Sequence, residues 1–161
     1  KVCVREIRNK DVAIDGHNVL ITIEAALSGR PLVSADDGFI RDISGLSGNF
    51  KKSEITETAI QLIFNVLKKW KPRKTLFLFD APISMSGKLA EEIRDRLKQT
   101  NLPGDATAVK VPEKILIGFP GVIATSDTAI INPSEKVLDL AGYILRKHLC
   151  NQKHVAVIRL R

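Results

Sequence analysis

With 161 residues, 44% of them hydrophobic, the chain can bury roughly two-thirds of its unfolded surface in one core, which excludes a disordered chain and a small stapled module. Its 25 Lys and Arg against 18 Asp and Glu leave a formal charge of +7, which favours polyanions such as nucleic acid or acidic membranes without choosing between them. The two cysteines, Cys3 and Cys150, have no metal-ligand spacing and form no disulfide framework, so a reducing compartment and a cytoplasmic location are expected.

Lys1 to Lys10 alternates loosely through Val2, Val4 and Ile7 and reads as an edge strand, or as an N-terminal extension or linker before a single domain over residues 11–161. The first residue is Lys1 rather than methionine, so a processed product or a piece of a longer protein is expected, and no secretory signal is read. Val12 to Ile14 is a short buried strand ending on Asp15. Val19, Leu20, Ile23, Ala26 and Leu27 then recur at helical spacing until Gly29 and Pro31 stop the helix.

Arg30 to Lys52 loses periodicity. Gly38, Gly45 and Gly48 separate short apolar pieces and Asp36, Asp37 and Asp42 lie close together, the pattern of a long functional loop with one short element. Ser53 is placed to cap a helix whose stripe, Ile55, Ala59, Leu62, Ile63, Val66, Leu67 and Trp70, runs on to Pro72. Thr75 to Phe79 is an apolar run of strand type that stops on Asp80.

Pro82 and Gly87 mark a turn, and Leu89, Ala90, Ile93 and Leu97 the next helix. Thr107 to Val111 reads as a third strand, with Ile115 to Ile117 as a further edge piece. The longest apolar run, Ile115 to Thr125, is broken by Gly118, Pro120 and Gly121 and is far short of the ~20 residues of a membrane span. Gly121 to Ser126 is another buried strand, running into Asp127. Asn132-Pro-Ser-Glu135 carries the cap, the preformed proline and the closing Glu of a helix start, followed by the stripe Val137, Leu138, Ala141, Ile144, Leu145 and Leu149. His154 to Leu160 is the last strand.

Strands alternating with helices predict a three-layer α/β/α fold around a mainly parallel sheet of about five strands in the order 3-2-1-4-5. The three strands that end in an acid are then neighbours, about 4.8 Å apart. Asp15, Asp80 and Asp127 meet beyond their carboxyl ends, at the topological switch point where such sheets bind ligands. Three carboxylates so close repel each other and invite a hard divalent cation, Mg²⁺ or Mn²⁺, above all where substrate phosphates complete the coordination. On a basic chain this reads as a polyanion screened from the acids by the metal, which would also lower the pKa of an attacking water. No Ser, Cys or His arrangement points to a covalent mechanism.

Asp15-Gly-His-Asn-Val-Leu20 resembles the opening motif of PIN-like nuclease domains, particularly of their NYN branch, where Asp-Gly-Tyr-Asn ends the first strand. Leu78-Phe-Asp-Ala81 and Ala124-Thr-Ser-Asp-Thr-Ala-Ile-Ile131 are similar to the second and third acidic motifs, in matching order and spacing. Within that group the chain looks most like an uncharacterised prokaryotic family of PIN-like proteins, in which the nuclease-like domain can follow a smaller one. The resemblance implies a metal-dependent ribonuclease, with Asp15, Asp80 and Asp127 as metal ligands and Asn18 orienting the first of them or the attacking water. RNA rather than DNA rests on the resemblance alone. His17 departs from the aromatic or small residue usual there, and Thr128 stands where a second acid is usual, which leaves Asp36, Asp37 or Asp42 to supply a further ligand. No membrane partner is expected. A homodimer and an additional N-terminal domain or partner protein stay open.

Plainer readings compete with these. An Asp after a strand often caps the next helix, which would account for any one of the three acids singly. Asn18 reads equally as a cap, and His17 as a loop histidine. Lys68, Lys69, Lys71, Arg73 and Lys74 around Trp70 could form a nucleic-acid patch, but cations favour a helix C-terminus and Trp70 continues the buried stripe, so a structural role is the better account. Arg146, Lys147 and His148 have the same explanation. Lys51, Lys52, Lys88 and Ser126 are the expected contacts to a phosphate backbone, Lys88 from a helix N-terminus. Ser84-Met-Ser-Gly-Lys88 is no P-loop, because Pro82 occupies the place of its first Gly. Two other functions remain: a catalytically inactive PIN-like module that binds RNA or a protein partner, and a phosphatase using Asp80 as nucleophile, against which Pro82 stands where a second Asp is usual.

Overall fold

A computed structural model describes residues 1–43, 50–148 and 157–159. The central strand, β1 (Asp11–Asp15), is apolar on both faces: Val12 and Ile14 enter one core and Ala13 the other, all fully buried. β4 (Lys74–Asp80) pairs with it from Asp11↔Lys74 to Asp15↔Leu78, and β6 (Val122–Ala124) pairs on its other side up to Ile14↔Ala124. β5 (Gly104–Val109) lies outside β4 and β7 (Val137–Leu138) outside β6, which makes an all-parallel sheet in the order β5-β4-β1-β6-β7.

Helices cover both faces. α1 (Gly16–Leu27), α2 (Glu54–Trp70), α3 (Ser86–Gln99) and α6 (Leu140–His148) share the larger core with Ile14, Phe77 and Phe79. On the opposite face Leu116 of α4 (Pro112–Leu116) and Ile130 of α5 (Thr128–Ile131) pack with Ala13, Leu78 and Ile123. The expected three-layer α/β/α arrangement is therefore present. The chain winds outward from β1 through β4 to β5, then returns to the other side for β6, so right-handed crossovers bring α4 and α5 to the second face. The reversal leaves a crevice at the ends of β1 and β6.

The expected strand order holds for its first four members. The fifth place belongs to β7, and the C-terminal strand β8 (Val157–Arg159) joins β2 (Leu32–Ser34) and β3 (Ile40–Asp42) in a separate sheet of order β3-β2-β8. The rest of the strand expected from His154 to Leu160, together with Leu149, Cys150, Gly45 and Gly48, lies outside the described residues. The long loop expected over residues 30–52 contains the β2–β3 hairpin, turned at Gly38 with φ 75°. The first ten residues form neither an edge strand nor a free linker. A 3₁₀ turn, Val4–Ile7, buries both its end residues in the larger core.

Two further expectations are corrected by the structure. Ile115 to Ile117 is no edge strand, because Pro112 is preformed for the first turn of α4 and only Leu116 of that segment is fully buried. The helix expected from Asn132 begins instead at Leu140, since Asn132 closes α5 while Val137 and Leu138 pair with β6. Asp139 is the cap: its buried carboxylate accepts the Gly142 N–H at 2.9 Å and Arg146 Nη2 at 3.0 Å. Asp139→Ala should therefore lower stability by about 1–2 kcal/mol, the range of a lost cap, read as a lower urea midpoint at unchanged slope.

Ser53 caps α2 as expected, its hydroxyl accepting from the Thr56 N–H while the Thr56 hydroxyl accepts from the Ser53 N–H. Trp70 packs on the larger core and its indole N–H donates to the Tyr143 hydroxyl at 3.4 Å, in keeping with a structural role for that end of α2. Among the described residues no helix is long and apolar enough to cross a membrane.

Candidate functional site

At the carboxyl edge of the main sheet a cavity of about 360 Å³ opens, a size that suits a small ligand or one unit of a polymer. Asp15, Asp80 and Asp127 line it from the ends of β1, β4 and β6, joined by Asp42 at the end of β3 and Glu113 in the first turn of α4. The three strand-end acids thus share one cavity, as their spacing predicts.

Asp15 is 7% exposed. Burial raises its pKa to about 7, with the charges of Asp80 and Asp127 acting in the same direction. The Thr125 hydroxyl, donating to Oδ2 at 2.8 Å, and the nearby Asn18 backbone N–H favour the ionised form and limit the rise. Although Asp15 precedes α1, its side chain makes no hydrogen bond of full capping geometry. Glycine follows for a steric reason: a Cβ on Gly16 would lie 2.3 Å from the Phe79 ring.

Asp127 does cap its helix, Oδ1 accepting the Ala129 N–H at 2.9 Å, and its own N–H donates to the Thr125 hydroxyl at 3.1 Å. Thr125 therefore links two of the acids, receiving a hydrogen bond from Asp127 and giving one to Asp15. Asp80 is half-buried, and its pKa is raised first by that burial and then by the charge of Glu113.

Asn18 acts through its neighbours. Its Oδ1 accepts from the Ser126 N–H at 2.8 Å and the Ser126 hydroxyl at 3.0 Å, which ties α1 to the end of β6, and lies 3.4 Å from the Thr125 hydroxyl, whose proton goes to Asp15. Ser126, expected to touch a phosphate backbone, lines the cavity but is buried with its hydroxyl engaged on Asn18. His17 is not a loop histidine. It lies in the first turn of α1, 2% exposed, edge-on to Phe50 and Phe79. Its Nδ1 accepts the Asp80 N–H at 3.1 Å, and burial lowers its pKa to about 4, so the ring is neutral with its proton on Nε2.

The remaining expected residues divide. Asp36 and Asp37 lie in the β2–β3 turn, away from the cavity lining, and the Asp37 carboxylate grips the Arg41 guanidinium and accepts the Phe39 N–H, which holds its pKa down. Asp42 supplies the loop's acid to the cavity instead, with Arg30 Nη1 3.8 Å from its carboxylate. Lys51, Lys52 and Lys88 are exposed and outside the lining, and Lys52 pairs with Glu92. Sequence reasoning missed Thr125, Glu113 and Arg41. A Thr inside the third motif and an acid just after a strand-ending proline were readable signals for the first two, whereas nothing in the sequence marks Arg41.

Among the described residues no group of three His, Cys, Asp or Glu side chains is gathered closely enough to form a ready metal cage. The donor chemistry nevertheless fits a hard cation: all five acids offer carboxylate oxygens, and Mg²⁺ commonly binds through one or two carboxylates while retaining its waters. Asp15, Asp80 and Asp127 are the residues that would hold it.

Fold and cavity together define an α/β domain with a carboxylate-lined crevice at the switch point of a parallel sheet. The chain belongs to the family described as "Domain of unknown function (DUF5616)", which matches residues 4–143. It is also similar to "Uncharacterized protein MJ0935" of Methanocaldococcus jannaschii, with 37% identity over 134 residues, 83% of this chain and 63% of that protein. The chain thus spans less than two thirds of the length of this relative. No solved structure matches it.

Proposed function

We propose that this domain is a metal-dependent phosphodiesterase that hydrolyses RNA, a PIN-like ribonuclease of the cytoplasm. The observation that carries the reading is the meeting of Asp15, Asp80 and Asp127, from three adjacent parallel strands, in one cavity of a chain with net charge +7. Mg²⁺ or Mn²⁺ at these acids would polarise the phosphate and lower the pKa of an attacking water.

The chain's own residues divide the remaining work. Asp15 supplies a carboxylate of fixed orientation, set by the Thr125 hydroxyl, and Asn18 holds Ser126 in place. Asp80, half-buried at the end of β4, supplies the second carboxylate to the cavity. His17 holds the Asp80 backbone by accepting its N–H, and the apolar rings beside it keep water from that flank.

Calorimetric titration with Mn²⁺ beside Asp80→Asn and Asp127→Asn tests the reading. Micromolar to millimolar binding that both substitutions abolish with the fold intact, together with Mn²⁺-dependent cleavage of single-stranded RNA, is the expected result. Binding indifferent to both substitutions, or none at all, sinks it. The lack of a gathered three-acid group among the described residues favours a second reading, an inactive PIN-like module that binds RNA or a protein partner. RNA retained in a gel shift with EDTA, and no cleavage with any divalent ion, would select that reading.

A further inference from the structure

We propose that Arg41 is the substrate-phosphate contact of this cavity, a guanidinium supplied by the second sheet to hold an anionic backbone against a wall of carboxylates. In naming RNA as the ligand, the inference rests on the phosphodiesterase reading. Five acids line the cavity and Arg41 is the only Lys or Arg among its described lining residues. A phosphodiester entering alone would meet like charge on every side. A fixed cation in the lining lowers that barrier, and a guanidinium N–H not used by the protein can donate to a phosphate oxygen.

The side chain is held in position before any ligand arrives. Its Nε donates to the Ser126 carbonyl at 2.7 Å, Nη1 donates to Asp37 Oδ1 at 3.0 Å, and Nη2 donates to Asp37 Oδ2. The guanidinium lies 5.8 Å from the centroid of the Phe39 ring. Of the five N–H groups of a guanidinium these bonds use three, so one on Nη1 and one on Nη2 remain for a ligand. Only 20% of the side chain is exposed, so little rotamer freedom is left to lose on binding. Lys51, Lys52 and Lys88, by contrast, lie outside the cavity.

The competing account is a clasp: Arg41 merely fastens the β2–β3 hairpin to the end of β6. Asp37 separates the two accounts, because Asp37→Asn weakens the clasp and leaves the cation, whereas Arg41→Gln removes the cation. The experiment is fluorescence anisotropy of a labelled short single-stranded RNA in Ca²⁺, over a salt series. It uses the full chain, Arg41→Gln, Arg41→Lys and Asp37→Asn, each checked for folding by circular dichroism.

Arg41→Gln should weaken binding about 10- to 100-fold, the scale of charge-assisted hydrogen bonds. It should also flatten the log–log salt dependence by about 0.7, one phosphate contact on a single strand. Arg41→Lys should fall between, and Asp37→Asn should stay within a few-fold of the parent. Equal binding by Arg41→Gln, an equal loss in Asp37→Asn, or no RNA binding by the parent chain overturns the inference. Cleavage of the same RNA in Mn²⁺ tells it apart from the reading beneath it. Arg41-dependent binding without cleavage removes the hydrolase and keeps the contact. Cleavage by Arg41→Gln at the parental KM keeps the hydrolase and removes the contact.

Discussion

Asp15→Asn is expected to abolish Mn²⁺-dependent RNA cleavage and yet to make the metal-free protein more stable at pH 8. The carboxyl is 7% exposed, and burial has raised its pKa from 3.8 to about 7. The folded state therefore binds this proton more tightly than the unfolded chain does. Its contribution to stability is complete below pH 3.8 and is lost as pH rises through about 7. The gap is worth on the order of 4 kcal/mol, which is the cost of holding the ionised carboxylate in a buried position beside Asp80 and Asp127. An amide removes that charge while its oxygen still accepts from Thr125.

Urea midpoints in EDTA should thus fall from pH 5 to pH 8 for the parent and much less for Asp15→Asn. Saturating Mn²⁺ at pH 8 should restore the parent, because a ligand that binds only the folded state stabilises it, and should leave the variant unchanged. Cleavage should drop by about 10²–10³-fold or more, the scale of losing one preorganised electrostatic group. A variant less stable than the parent at pH 8 would contradict this account of Asp15.

Phe79→Ala should cost about 3–5 kcal/mol, the usual range for a buried phenylalanine and a large part of the 5–15 kcal/mol that holds a typical domain together. Phe79 is fully buried one residue before Asp80, stacked near Phe77 with centroids 6.4 Å apart and edge-on to His17 at 5.2 Å. Its ring also fills the space in which a Cβ on Gly16 would fall. Gly16→Ala in the parent should cost about 1–3 kcal/mol through overpacking. In the Phe79→Ala background the added methyl enters the vacated volume, so the second cost should largely disappear. A double-mutant cycle by urea unfolding reads this directly, and an interaction energy below about 0.5 kcal/mol would mean that the two sites do not press on each other.

Both predictions concern the junction of β1, α1 and β4, which is also the part of the molecule most legible in one dimension. Val12 to Ile14 and Thr75 to Phe79 are apolar without alternation, which identifies strands buried on both faces, and the helical stripes of α1, α2 and α3 repeat over several turns. Strand-end acids and a strand–helix alternation are local facts, so the convergence of Asp15, Asp80 and Asp127 followed from chain order and handedness alone. Short elements behaved differently. Two apolar residues, Val137 and Leu138, carry no period of their own, and a cap signal just before them was outweighed by pairing with β6.

The sequence by itself thus determined the α/β class, the order of the first four strands and three of the five acids in the cavity, because each depends on patterns within a single element or on the rule for joining consecutive ones. Tertiary structure alone decided that Asp42 and Glu113 enter the cavity while Asp37 is held by Arg41, that Asn18 acts through Ser126, and that Arg41 joins the cavity lining. Those outcomes depend on which hairpin turn lies over which strand end, and such contacts join residues as far apart in the chain as Arg41 and Ser126. Burial then set the chemistry, since the same carboxyl that is ordinary in water is raised to about 7 at Asp15.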